Sequence, residues 1–174
     1  MNIQIVRANT FHHSYIPAIL DAIYEASKLK GNSIVMRESE YLALKMDEGK
    51  TVIALDGETF VGFCYIESWE DENYVANSGL IVRPEYRGRC IARAIKQEIF
   101  NICREMFPDA KIFGITKSEA VISINKGFGF RIVPYSALTT DEKFWKGCET
   151  CPHYQELLSN DFASCQCTGL LFTP

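Results

Sequence analysis

The stretch VRPEYRGRCIARAI, residues 82–95, leaves a predicted strand, passes through a basic turn and enters a predicted helix. A turn of this kind exposes the first backbone amides of the helix, which attract anions together with the helix dipole. Gly88 lets the backbone approach a ligand closely, and Arg87 and Arg89 add positive charge. Cys90 stands where a second glycine would ease the backbone around an anion. On its own, the stretch predicts either a phosphate-binding turn or an ordinary strand-to-helix turn with solvated arginines.

The sequence after the turn carries a strong helix pattern, because apolar residues recur in steps of three and four. The members of this stripe are Ile91, Ile95, Ile99, Ile102 and Met106. They share one face of a helix that we expect to end near Pro108. Beyond it, residues 111–116 predict a strand, residues 118–129 a short helix capped by Ser118, and residues 131–135 another strand.

The sequence before the turn predicts an antiparallel meander. Residues 51–55 and 59–68 form two predicted strands joined by a tight hairpin, in which Asp56 and Gly57 supply the positive φ angles. An acidic turn then leads into a third predicted strand over residues 74–82. This predicted strand ends where the basic turn begins.

The N-terminal part predicts one strand and two helices. Ile3–Arg7 is the strand, and a helix starting near Ser14 and ending at Gly31 has Pro17 in its first turn. A second, shorter helix ends at Gly49. A meander followed by crossovers of the βαβ type predicts an α/β (α+β) fold with a mixed sheet.

Composition narrows the class of protein. A chain of 174 residues with 47% hydrophobic and 23% charged residues is typical of one globular domain. The net charge of −4 argues against a nucleic-acid or membrane-surface binder, so we expect neither partner. The N-terminus lacks the pattern of a secretory signal and no apolar run is long enough to span a bilayer, which predicts a cytoplasmic protein.

These features together resemble the GNAT superfamily of acyl-CoA-dependent N-acyltransferases. The resemblance rests on the strand, the turn RPEYRGRCIA, the amphipathic helix and the later GFGF motif. It covers most of residues 1–135 and is most specific over residues 79–96. It implies a GNAT-like mixed, mainly antiparallel central sheet flanked by helices in a domain of residues 1–140, with a Cys-rich C-terminal extension of residues 141–174 packed on it. Members are often homodimers, and the sequence leaves open whether this chain forms one.

The resemblance implies an acyl-CoA site at the turn and the strand before it. Backbone amides from Gly88 to Ala92 would bind the pyrophosphate, and the strand end would pair with the pantetheine. The residues implied to bind acetyl-CoA or another acyl-CoA are Leu80, Ile81, Val82, Arg87, Gly88, Arg89, Cys90, Ile91, Ala92 and Asn125. Because we place Cys90 in the first turn of the helix, we expect it to have right-handed φ and ψ, where a small side chain replaces glycine without strain.

Catalytic groups are harder to assign. The resemblance implies a backbone oxyanion donor near Leu80, beside a bulge at Gly79. Members often carry a glutamate early in this strand and a tyrosine in the later motif. The glutamate slot falls near Ala76, and the tyrosine slot holds Asn125. Glu67 is a replacement base candidate, with a surface carboxylate as the alternative.

Four of the seven cysteines lie close to the C-terminus. Cys148 and Cys151 are separated by two residues, and Cys165 and Cys167 by one. Two close pairs can present four thiolates to a structural zinc ion, with His153 as a substitute ligand. Reduced thiols packed as small apolar groups, or disulfides, are the alternatives.

The resulting functional prediction is an N-acetyltransferase that uses acetyl-CoA or succinyl-CoA. Its acceptor would be the primary amine of a small molecule, attacking directly in a ternary complex. The C-terminal cysteine pattern also resembles a bacterial GNAT subgroup associated with arginine biosynthesis, which implies the α-amino group of glutamate or a related amino acid. A dicarboxylate acceptor would need basic residues, for which the sequence offers Arg37, Lys45, Lys117 and Lys126 without ranking them.

Three alternatives stay open from the sequence. The chain could be a non-catalytic GNAT-fold protein that binds CoA or regulates a partner. It could acetylate a protein or peptide amine, or it could be a zinc-dependent interaction domain with the cysteine tail as its working part.

Overall fold

The computed structural model describes residues 1–29, 36–151, 154–159 and 165–174. The strands within these residues are β1 Ile3–Arg7, β2 Thr51–Asp56, β3 Thr59–Trp69, β4 Tyr74–Val82, β5 Lys111–Thr116, β6 Arg131–Ile132 and β7 Thr168–Phe172. The helices are α1 Ile16–Ser27, α2 Ser39–Asp47, α3 Ile91–Met106, α4 Glu119–Gly127, α5 Glu142–Lys146 and α6 Tyr154–Ser159. None of the helices in these residues is long and apolar enough to cross a membrane.

The strands form one mixed sheet in the order β1-β2-β3-β4-β5-β7-β6. Antiparallel pairing joins β1 to β2, β2 to β3, β5 to β7 and β6 to β7. β4 and β5 are parallel, with Tyr74 opposite Lys111 and Ala76 opposite Phe113. The predicted mixed, mainly antiparallel sheet flanked by helices is confirmed.

The chain divides into two compact units. The first contains Met1–Glu67 and Asn77–Pro108, and the second contains Ser68–Ala76 and Asp109–Pro174. The predicted division at residue 140 stays a prediction.

The core of the first unit follows from the apolar spacing of its helices. α1 buries Ile19 and Ile23, and α2 buries Leu42 and Met46, in one cluster with Phe63 of β3. Burying such side chains fully stabilises the fold by about 1.5–3 kcal/mol each. α1 and α2 are therefore held against the strands that lie beside β4.

α3 buries most of its predicted stripe. Its four isoleucines are between 0% and 4% exposed, which confirms the predicted face. The same helix also buries Lys96 and Cys103. The stripe fixes the orientation of α3, and thereby the position of its first turn.

Three predicted details of the helices and the hairpin have different outcomes in the structure. α1 begins at Ile16, two residues after the expected start near Ser14, and directly follows a 3₁₀ helix over Thr10–Tyr15; Pro17 is in its first turn as predicted. The predicted terminator Gly31 lies outside the described residues. In the hairpin only Gly57 has positive φ, because a residue before the turn can remain in extended conformation.

The C-terminal segment contributes a strand that the sequence analysis missed. β7 pairs with β5 from Thr168 to Phe172, and β6 is reduced to Arg131–Ile132, which pairs with β7. A five-residue segment with only three large apolar residues in a row has no strong period of its own, so its partner strand determines its conformation.

Candidate functional site

The basic turn between β4 and α3 has a backbone shape suited to an anion. Pro84–Tyr86 form one 3₁₀ turn, and Gly88 has φ +74°. Within the described chain, Cys90 precedes α3 without a side-chain hydrogen bond to the helix. The first amides of α3 therefore lack a side-chain cap and lie at the positive end of the helix dipole. Such amides can bind a phosphate or pyrophosphate.

Cys90 does not have the right-handed backbone expected for it. Its φ is +60° and its ψ is +10°, in the left-handed region. The expectation was wrong because Cys90 precedes the first turn of α3, where the chain must change direction after the 3₁₀ turn. A non-glycine residue in this conformation costs roughly 1–2 kcal/mol. The position thus keeps a backbone shape that favours glycine, although a cysteine occupies it.

The two arginines of the turn have different surroundings. Arg87 Nε donates a hydrogen bond of 3.1 Å to the carbonyl of Val82, so it ties the turn to the end of β4. Arg89 is exposed, and its Nη1 lies 3.4 Å from Sδ of Met1. Arg89 consequently presents its charge at the surface of the turn.

A pocket of about 320 Å³ lies beside this turn, between α1 and the end of β4. Ile81, Val82 and Arg87 line it from the strand and the turn. Asp21 and Glu25 line it from α1. Three of the predicted cofactor residues therefore border one cavity.

β4 contains one residue with a left-handed backbone shortly before the pocket. Gly79 has φ +68°, and a Cβ at this position would lie 2.7 Å from Cε1 of Tyr65. Only glycine therefore satisfies both the backbone angle and the space. Leu80, the predicted oxyanion donor, directly follows this glycine and is half-buried.

A basic and aromatic cluster forms where α2 packs against β3. Its members are Arg37, Tyr41, Lys45, Tyr65 and Glu67, which we call the Arg37–Lys45 cluster. Arg37 Nε donates a hydrogen bond of 2.7 Å to the Tyr65 hydroxyl, and its guanidinium lies 5.6 Å from the Tyr65 ring centre. Lys45 Nζ lies 5.3 Å from the Tyr41 ring centre and 3.9 Å from Oε2 of Glu67. The cluster places two cations and one carboxylate on a shared aromatic surface.

Burial perturbs both titrating groups of this cluster. It lowers the pKa of Lys45, and Lys50 and Arg37 lower it further, while Glu48 opposes the shift. Burial also raises the pKa of Glu67, with Arg37 opposing. A carboxylate with a raised pKa is better matched to accepting a proton near neutral pH than an ordinary surface carboxylate.

The structure separates the four basic candidates that the sequence left unranked. Arg37 and Lys45 belong to the cluster, whereas Lys117 and Lys126 are exposed residues of the second unit. Sequence analysis missed Tyr41. The sequence feature that could have indicated Tyr41 is its four-residue spacing to Lys45, which places both residues on one face of α2.

Asn125 belongs to the second unit and is 1% exposed. Its backbone carbonyl accepts hydrogen bonds from the amides of Phe128 and Phe130, so it shapes the end of α4. Its side-chain Oδ1 has no hydrogen-bond partner among the described residues. The predicted role of Asn125 in cofactor binding stays a prediction.

The four C-terminal cysteines are half-buried free thiols in the second unit. The Tyr135 hydroxyl lies 3.2 Å from Sγ of Cys165 and donates a 2.7 Å hydrogen bond to the carbonyl of Cys167. Burial raises the pKa of Cys148, and Cys165 and Cys151 raise it further. Over residues 1–29, 36–151, 154–159 and 165–174, no three donor side chains are grouped closely enough to hold a metal ion. The alternative ligand His153 lies outside the described residues.

Comparison with known families gives one match. Residues 18–125 match the model of the Acetyltransferase (GNAT) family. None of the curated protein sequences matches the chain significantly.

Solved structures with a similar fold include several acetyltransferases. N-acetylglutamate synthase from Neisseria gonorrhoeae, complexed with coenzyme A and N-acetyl-glutamate, has a TM-score of 0.65 and 14% identity over 99% of this chain. This chain spans 35% of the length of the Neisseria enzyme. Rv2747 from Mycobacterium tuberculosis, in complex with CoA, has a TM-score of 0.67 and 17% identity over 98% of this chain and 99% of that one. A phosphinothricin acetyltransferase from Sinorhizobium meliloti with acetyl-CoA has a TM-score of 0.61 and 21% identity over 77% of each chain. At these identities the likeness establishes the fold.

Proposed function

Since the chain belongs to the acetyltransferase (GNAT) family, we propose that it transfers an acyl group from acetyl-CoA or succinyl-CoA to the primary amine of a small molecule. The main observation in support is the turn after β4. There Gly88 and Cys90 have positive φ, and α3 begins without a side-chain cap. The α-amino group of glutamate or a related amino acid is the proposed acceptor. The fold shared with N-acetylglutamate synthase supports this choice without establishing it.

The cofactor is proposed to lie along the end of β4 and over the start of α3. Backbone amides from Gly88 to Ala92 would bind the pyrophosphate, with Arg89 adding charge at the surface. The backbone of Leu80 to Val82 would pair with the pantetheine arm as an extra strand does.

Catalysis is proposed to rest on the Leu80 amide and on Glu67. The amide would donate a hydrogen bond to the thioester oxygen as negative charge develops there. Glu67 would take one proton from the attacking nitrogen as the new C–N bond forms. The C–S bond then breaks, and CoA leaves as a thiolate that takes a proton from water. Holding two reactants in place supplies a large part of such a rate enhancement, so one weak base suffices.

A thiol-release assay tests this proposal. Acetyl-CoA and succinyl-CoA are each offered with amino acids, polyamines and short peptides, while calorimetry measures CoA binding. CoA binding with release stimulated by an amino acid supports the proposal. CoA binding without release by any acceptor would instead support a non-catalytic protein, and preferential release with peptides would support a peptide acceptor. Absence of both binding and release would refute the acyltransferase function.

A pair of charge-reversal variants locates the cofactor. Arg89→Glu should weaken CoA binding by about 10- to 100-fold, since a charge-assisted contact to phosphate contributes roughly 1.5–3 kcal/mol. Arg131→Glu makes the same charge change at an exposed residue of β6 and should leave CoA affinity unchanged. Equal effects of the two variants would contradict the proposed location.

We also propose that the four C-terminal thiols hold a structural zinc ion. Their support is the donor set, four half-buried free thiols, of which Cys151 and Cys165 lie close enough to Cys148 and Cys167 to raise the pKa of both. The thiols are not grouped as ligands in the described residues, so metal binding would have to draw them together. Elemental analysis of protein purified without chelator should find about one zinc ion per chain. Cys148→Ser should lose this zinc and Cys90→Ser should keep it, whereas a zinc content near zero in the wild type would exclude the site.

A further inference from the structure

The Arg37–Lys45 cluster carries more positive than negative charge. Within the described chain Lys45 forms one ion pair, with Glu67, and its 3.9 Å separation is too long for a hydrogen bond. Arg37 uses Nε for the Tyr65 hydroxyl and Nη1 for the carbonyl of Met36, both of which are neutral acceptors. Two cations therefore share a single carboxylate.

The excess positive charge of the cluster is energetically unfavourable because Arg37 and Lys45 are both partly shielded from water. Lys45 is 9% exposed and lies against the Tyr41 ring, and Arg37 is half-buried between Tyr41 and Tyr65. Charges removed from water interact strongly, so Arg37 and Lys45 repel each other unless an anion lies between them. Two other charged groups lie near Lys45, namely Glu48 and Lys50. They pair with each other at 3.0 Å, so their charges largely cancel.

We propose that this cluster binds the α-carboxylate of the acceptor, so that the substrate carries a carboxylate on the carbon that bears the amine, as an α-amino acid does. This inference rests on the proposed acyltransferase function. Arg37 and Lys45 hold the carboxylate, and Glu67 receives the amino end of the same molecule. A guanidinium suits this task because it can donate two parallel hydrogen bonds to one carboxylate.

The position of Tyr65 connects this cluster to the proposed chemistry. Its hydroxyl holds Arg37, and its ring packs against Gly79, which directly precedes Leu80. An acceptor anchored on Arg37 is thereby kept close to the strand segment proposed to hold the thioester. Tyr65 is a positioning residue, because it acts through Arg37.

The same charges disfavour other acceptors. A polyamine would bring further positive charge toward Arg37 and Lys45, and like charges in a half-buried site repel. A neutral amine would leave the excess charge uncompensated. The cluster therefore selects against both classes.

The experiment compares glutamate with two acceptors that lack the free α-carboxylate but keep the primary amine and the side-chain carboxylate. Glutamate, glutamate α-amide and 4-aminobutyrate are offered with acetyl-CoA and succinyl-CoA to the full chain, and kcat/KM is measured. Binding of glutamate to the CoA-saturated protein is measured in parallel by calorimetry, so that recognition is read without turnover. We expect glutamate to exceed its α-amide by about 10- to 100-fold, the range of one or two charge-assisted hydrogen bonds.

Variants assign this preference to the cluster. Lys45→Met keeps the buried stem without the charge, and Arg37→Gln removes the guanidinium. Each should raise KM and the Kd for glutamate by about 10- to 100-fold and remove the preference over the amide, with CoA affinity unchanged. Arg37→Lys should restore part of the preference. Lys143→Met, a charge change at an exposed residue of α5 outside the cluster, should keep the wild-type preference.

The outcomes separate the two levels of the proposal. If the wild type acylates glutamate, its amide and polyamines equally well, or if Lys45→Met and Arg37→Gln keep the preference, the carboxylate site is refuted while the acyltransferase function stands. If glutamate binds through the cluster but neither glutamate nor any other acceptor of the panel is acylated, the site is supported and the enzymatic function fails. If glutamate neither binds nor reacts, the carboxylate site is overturned.

Discussion

The substitution Cys90→Gly tests the left-handed backbone at the start of α3. A cysteine at φ +60° carries strain of about 1–2 kcal/mol that glycine avoids. Glycine also gains freedom in the unfolded chain, which offsets about 0.4–1 kcal/mol of this gain. Cys90 is exposed and, in the part of the chain that the structure describes, its side chain does not cap α3, so the substitution removes little else. We expect the variant to be more stable than the wild type by about 0.5–1 kcal/mol.

Urea unfolding measures this difference. With an m-value of about 2 kcal/mol per molar, the midpoint should rise by about 0.3–0.5 M. Ala94→Gly, in the right-handed interior of α3, is the matched control and should destabilise the protein by about 1 kcal/mol. Gly88→Ala adds a Cβ at φ +74° with no atom within 4 Å, so it should cost about 1–2 kcal/mol through backbone strain alone.

A second measurement concerns the ligand. CoA affinity should be kept or increased in Cys90→Gly, since glycine removes a side chain next to the proposed pyrophosphate site. If Cys90→Gly is instead destabilised as much as Ala94→Gly, the argument from backbone strain is refuted. A large loss of CoA affinity would show that the thiol itself contributes to binding.

Three other expectations follow from contacts elsewhere in the fold. Gly62→Ala should destabilise by about 1–3 kcal/mol, because its Cβ would lie 2.8 Å from a backbone carbonyl oxygen. Gly147→Ala should cost less, since its φ of −59° suits alanine and no described atom lies within 4 Å of the added Cβ; urea unfolding of both variants checks the order. Glu70 accepts hydrogen bonds from two threonines, which lower its pKa below 4.5. Its contribution to stability is therefore present above pH 4.5 and is lost as the pH falls through the folded pKa. The difference in free energy of unfolding between the wild type and Glu70→Gln, measured between pH 3 and 7, should shrink on acidification, and a constant difference would contradict this. Burial raises the pKa of Cys64 to about 11 and of Cys103 to about 12. Both thiols should therefore resist alkylation until the protein unfolds. Rapid labelling of the native protein would count against their burial.

Local patterns were most informative where one segment carries its own signal. The four isoleucines of α3 predict a buried face because their spacing alone defines it, and the structure buries all four. The Asp56-Gly57 hairpin was predicted because glycine readily adopts the positive φ that a tight turn needs. β7 was missed because its short apolar run becomes a strand only when β5 and β6 lie beside it.

The predicted site residues also divide into those that local sequence indicates and those that depend on tertiary contacts. The turn with Arg87 and Gly88 was recognisable from residue types, since strand, glycine and helix follow one another along the chain. The conformation of Cys90 was not, because a backbone angle at a junction depends on where the two flanking elements are held. Lys45 and Glu67 are 22 positions apart in the sequence, and nothing local indicates that they meet.

By itself, the sequence determined the order of strands and helices, the mixed sheet, and the resemblance carried by the turn after β4. These properties follow from periodicity and from the backbone preferences of a few glycines, which act over neighbouring residues. Only the tertiary structure decided which charges are removed from water and which of them lie together. Desolvation and charge pairing depend on the packing of α2 against β3, two elements that are distant in the chain, and that packing turns Arg37, Lys45 and Glu67 into one cluster.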